Sequence, residues 1–65
     1  MTMYDVEFIR HMPGYDEPAV IDVHNLLAAD LDEAIRRAAL SLLTLTFRVR
    51  PESFRIREEG GDIVF

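Results

Sequence analysis

Hydrophobic and polar positions alternate early in the chain. Tyr4, Val6 and Phe8 fall on one side of an extended backbone, while Asp5, Glu7 and then Arg10 fall on the other or end the run. Period two is the mark of a half-buried strand. Met12-Pro13-Gly14-Tyr15-Asp16-Glu17-Pro18 holds two prolines and a glycine, which break a ladder and favour a reversal. A second alternating run follows, with Ala19, Ile21 and Val23 predicted on the core side and Asp22 and His24 on the solvent side. A connection this short cannot make a parallel crossover, so the two strands are predicted to pair antiparallel.

The period then changes from two to 3.6. Asp30-Leu31-Asp32-Glu33 is a helix start in which Asp30 can accept from free first-turn N–H groups and Glu33 can reach back. Its three carboxylates also suit the positive end of the helix dipole. Leu31, Ala34, Ile35, Ala38, Leu42 and Leu45 then recur at helical spacing as one apolar stripe. Asp32 with Arg36 and Glu33 with Arg37 are spaced to form ion pairs on the solvent side. Leu40 falls nearly opposite the stripe and Leu43 beside its edge, so the second half of the helix is apolar on more than one side.

Residues 46–50 fit a frayed helix end, a strand or a loop, and the pattern does not choose among them. Phe54 and Ile56 alternate with Arg55 and Arg57 as a further strand, Gly60-Gly61 suits a tight reversal, and residues 62–65 are predicted to return as a last short strand. The predicted fold is α+β in the order ββαββ, one helix packed on an antiparallel sheet. At 65 residues the chain is a single domain, 1–65, and buries only roughly 60% of the surface its unfolded form exposes. With no cysteine, neither a disulfide nor a thiolate metal site stiffens it.

The longest weakly charged stretch, residues 38–47, is half of the roughly 20 apolar residues a membrane helix needs. The start lacks a basic leader, so a cytoplasmic protein without membrane contact is expected. Charge narrows the function further. All seven bases are arginine, and residues 1–33 carry eight acids against one base, a net −7, whereas residues 34–65 carry four acids against six arginines, a net +2. An acidic field repels phosphates and attracts basic protein surfaces, which argues against direct nucleic-acid binding.

Few residues suggest chemistry. Asp22 and His24, two apart on a strand, leave the same face, but two ligands do not make a zinc site, and His11 lies elsewhere. They are read as a solvated histidine beside a carboxylate. Ser41 and Ser53 lie in no nucleophile motif, and Gly60-Gly61 lacks the pattern of a phosphate loop. No metal, cofactor or catalytic residue is assigned, and the protein is expected not to be an enzyme. Arg48, Arg50, Arg55 and Arg57 can grip phosphates or an acidic partner, or pair internally with Asp5, Glu7 and Asp22 across strands. Both readings stay open.

The expected contact surface comprises Asp5, Asp16, Glu17, Asp22, Asp30, Asp32 and Glu33, gathered into one outward patch, with Tyr15 as its aromatic anchor. Its target is a basic surface on a larger protein. Two alternatives are a homodimer through Leu40 and Leu43, and nucleic-acid binding by the arginines.

The run Val20-Ile21-Asp22-Val23 leading to Asp30-Leu31-Asp32-Glu33-Ala34-Ile35-Arg36-Arg37-Ala38, followed by Ser53-Phe54-Arg55-Ile56 and a glycine turn, resembles the strand, alanine-rich helix, strand layout of many short bacteriophage and mobile-element proteins. In layout and charge the chain is similar to small acidic anti-CRISPR proteins. This resemblance covers about two thirds of the chain and carries over no functional residue. It implies an inhibitor in a bacterial host cytoplasm that docks on the nucleic-acid channel of a CRISPR effector or similar complex, in part by mimicking DNA charge.

Overall fold

A computed structural model describes residues 1–65. The first alternating run forms β1 (Thr2–Arg10), with Tyr4, Val6 and Phe8 buried. Residues 11–18 reverse the chain. Gly14 takes φ 86°, where a side chain would be strained, and the Tyr15 N–H donates to the Met12 carbonyl at 3.2 Å. β2 (Ala19–Ala28) returns antiparallel to β1, α1 (Leu31–Thr44) packs on the sheet, and β3 (Ser53–Glu58) pairs antiparallel with the other side of β1. The sheet order is therefore β2-β1-β3, and the fold is α+β with one helix on an antiparallel sheet, as the pattern predicts.

The final segment does less than a strand. It meets β3 through a single bridge, Arg57 with Ile63, so the observed order is ββαβ. Successive N–H groups of a strand point to opposite sides. Here the Val64 and Phe65 N–H groups both reach the Ile56 carbonyl, at 2.8 and 3.3 Å, so the backbone curls instead of extending. The segment still covers the outer edge of β3.

The core lies between α1 and the sheet and is thin, because only 8 of 65 residues are buried. Phe8, Val6 and Ile56 are its largest fully enclosed side chains, and Ala34 and Ala38 are the buried helix positions. Two alanines one turn apart bring the helix backbone close to the sheet, and Leu31, Ile35 and Leu42 close the flanks. Leu45 departs from the predicted stripe. The helix ends at Thr44, Leu45 is extended (φ −76°, ψ 149°), and its side chain is exposed. Residues 46–50 form no strand but a bent loop, which presses Phe47 onto Phe8 with ring centroids 4.9 Å apart. No helix is long and apolar enough to cross a membrane.

The structure corrects the facing predicted for β2. Phe8 pairs with Asp22 but Ile9 pairs with Val20, so one step along β1 spans two along β2 and Ile21 is the extra residue of a bulge. Residues directly opposite in a ladder share a face. Ala19, opposite Arg10, therefore faces the helix side as predicted, but beyond the bulge the parity inverts. Asp22, His24, Leu26 and Ala28 lie on the helix side, while Val23, Asn25 and Leu27 lie on the open side. A one-residue shift moves a whole strand's side chains to the other face.

Candidate functional site

The eight predicted contact residues do not converge. Tyr15, Asp16 and Glu17 sit in the hairpin loop beyond Arg10, whereas Asp30, Asp32 and Glu33 follow Ala28, which pairs with Thr2 at the other end of β1. A nine-residue strand separates these ends by roughly 26 Å. Asp5 lies on the open sheet face opposite Arg57, and Asp22 lies on the helix side. The single acidic patch expected from the charge count is therefore two acidic ends, because the antiparallel hairpin sends its turn and its exit in opposite directions.

At the hairpin end the side chains are free. Tyr15 is 70% exposed and Met12 38%, and with Glu17, Pro18 and Ala19 they line a shallow concavity of about 370 Å³. Asp16 and Glu17 are exposed and make no ion pair. The base of the loop is anchored. The His11 N–H donates to Glu52 Oε1 at 2.8 Å, and Arg10 Nη1 donates to the Arg50 carbonyl at 3.0 Å.

At the helix end the acids work locally. Asp30 Oδ1 accepts from the Glu33 N–H at 2.9 Å, and Glu33 Oε2 accepts from the Ala29 N–H at 3.0 Å, a reciprocal cap. Arg37 lies 3.6 Å from Glu33, while Asp32 and Arg36 do not close the second predicted ion pair. Asp22 is likewise engaged: Oδ2 lies 3.0 Å from His24 Nε2, and Oδ1 accepts from the Val23 N–H at 2.9 Å. The His24 hydrogen bond first, and then the Val23 N–H, hold the Asp22 carboxyl below its ordinary value of 3.8. His24 is not simply solvated, since its ring meets Phe8 edge-on at 5.1 Å. No group of three or more His, Cys, Asp or Glu side chains is placed to hold a metal ion.

The arginine pattern divides. Arg55 and Arg57 lie on β3 facing the open side of the sheet, where Glu7 binds Arg55 Nε and lies 3.8 Å from Arg57 Nε. Their pairing is internal. Asp5 stands opposite Arg57 in register but forms no ion pair, and Asp22 is on the other face. Arg48 and Arg50 lie outside the sheet, so the four guanidinium groups do not form one row. Leu40 and Leu43 are 61% and 77% exposed; Leu40 lies where the helical spacing puts it, and Leu43, expected beside the edge of the stripe, is the more open of the two.

One feature of this surface was not legible in the pattern. β2 is an edge strand ten residues long, and its last six residues present Val23 and Leu27 as exposed apolar side chains around Asn25. The unbroken run of apolar residues at 26–29 was its only trace in the sequence. Comparison with protein-family models, curated proteins and solved structures finds no match.

Proposed function

We propose that the protein is a non-enzymatic binding module whose hairpin end docks on a basic surface of a larger protein. The supporting observation is Tyr15, 70% exposed beside Met12 and the unpaired carboxylates of Asp16 and Glu17. An aromatic and a thioether supply apolar contact, and flanking acids select a cationic rim and speed encounter. The net charge of −5 favours the same class of target. If that surface normally holds nucleic acid, occupancy by the hairpin blocks it, which is how an inhibitor of the anti-CRISPR kind would act. Under this reading Asp30 and Glu33 serve the helix and not the partner.

The test is capture from a bacterial lysate on immobilised protein, comparing wild type with Tyr15→Ala/Asp16→Lys/Glu17→Lys and with Glu58→Lys/Glu59→Lys as a control for net charge. A retained basic protein should be lost with the hairpin variant, kept with the control, and weakened by salt. Equal capture by both variants, or binding indifferent to salt, overturns the proposal.

A further inference from the structure

The free edge of β2 is complementary to itself. Met3 and Ile9 direct their carbonyls away from β2, accepting from the Glu59 and Glu52 N–H groups at 3.2 and 2.9 Å. By the alternation of an antiparallel ladder, Tyr4, Val6 and Phe8 bond to β2 through their partners Leu26, His24 and Asp22. The backbone groups of Val23, Asn25 and Leu27 therefore point outward from the sheet. Two of these are already occupied: Asp22 Oδ1 takes the Val23 N–H at 2.9 Å, and Arg37 Nη1 donates to the Leu27 carbonyl at 2.7 Å. The N–H and carbonyl of Asn25, the carbonyl of Val23 and the N–H of Leu27 have no neighbouring strand.

We infer that this edge pairs with β2 of a second copy, antiparallel about a two-fold axis at Asn25, forming a continuous six-stranded sheet. In that register each Asn25 exchanges both backbone bonds with its counterpart, and each Leu27 N–H meets the Val23 carbonyl of the second copy. These four bonds use only unoccupied groups. The remaining bond, from the Val23 N–H to the Leu27 carbonyl of the second copy, joins the two groups that Asp22 and Arg37 hold. Asp22 is therefore brought against Arg37 of the second copy, both on the helix side, and the two-fold axis repeats this opposite-charge contact. On the open face Val23 meets Leu27 of the second copy, which covers side chains now 49% and 47% exposed. A register centred on His24 sets Val23 against Asn25 of the second copy, and one centred on Val23 keeps a Val23–Val23 contact but moves Leu27 off Val23; in both, Asp22 is displaced along the strand from Arg37 of the second copy. Self-complementarity about one axis is the requirement of an isologous interface.

Analytical ultracentrifugation of the full chain over a concentration series tests this. A reversible dimer is expected. Asn25→Pro deletes a donor that points away from the sheet, so the monomer can retain its fold while the dimer is lost. Asp22→Arg and Arg37→Asp each set like charges against one another and should raise the dissociation constant about tenfold, and the double exchange should restore it. Leu40→Glu should leave the dimer intact. A strict monomer up to about 1 mM, a dimer dissociated by Leu40→Glu, or single charge variants not rescued by the double exchange, overturns the inference. The charge exchange decides the matter even if Asn25→Pro does not fold.

Discussion

Replacing Asp30 tests whether the carboxylates at the helix start belong to the fold or to a binding surface. Asp30 Oδ1 accepts from the Glu33 N–H at 2.9 Å, and the opposite half of the cap, Glu33 Oε2 to the Ala29 N–H, survives the substitution. Asp30→Ala removes one acceptor and one charge from the first turn. Loss of an N-cap costs about 1 kcal/mol, and in a domain of 60–100 residues that lowers Tm by about 4–8 °C. Asp30→Ser keeps a hydroxyl acceptor and loses only the charge interaction with the helix dipole, about 0.3–1 kcal/mol, so it should recover much of that loss. Thermal denaturation followed by circular dichroism gives both values, and lysate capture on the same variants reports binding. An unchanged Tm in Asp30→Ala, or Asp30→Ser melting no higher than Asp30→Ala, refutes the capping argument. Loss of the captured protein in a folded Asp30→Ser variant refutes the assignment of this residue to the helix alone.

Ile56→Ala should remove about half of the stability and lower the urea midpoint accordingly, since emptying a fully enclosed site costs about 2–5 kcal/mol and a chain of this size has roughly 3–10 kcal/mol in all; an unchanged midpoint would mean that Ile56 is not part of the core. Glu7→Ala should cost about 1–2 kcal/mol in urea denaturation, because it leaves the half-buried Arg55 and Arg57 without their shared carboxylate; a neutral result would mean that solvent already satisfies both. The lowered carboxyl of Asp22 stabilises the fold at pH values above its ordinary 3.8, and that contribution is lost as pH falls through the lower folded value. Acid titration of stability should therefore be shallower below pH 3.8 in Asp22→Asn than in wild type, and parallel curves would refute the link.

The elements whose signals are local were legible. Alternation at Tyr4, Val6 and Phe8 marks β1, the Asp30 to Glu33 spacing marks the start of α1, and the two prolines around Gly14 mark the hairpin. Each rests on backbone geometry and on contacts within a few residues, which the amino acids specify wherever the chain goes. The outward placement of Leu40 belongs here too, because helical spacing alone puts it nearly opposite the apolar stripe.

Facing and gathering were decided elsewhere. The alternation around Ile21 is the same whether Val23 or His24 faces the core, and only pairing against β1, with its extra residue at Ile21, sends His24 onto Phe8 and Val23 to the open side. Counting acids along the first half likewise carried no information on where they end up: the antiparallel return places Asp16 and Glu17 at one end of the sheet and Asp30, Asp32 and Glu33 at the other. Composition and local periodicity thus determined which segments extend or coil and which sign of charge dominates. Ladder register, a property of two strands and not of one, decided which side chains share a surface, and with it the free edge of β2.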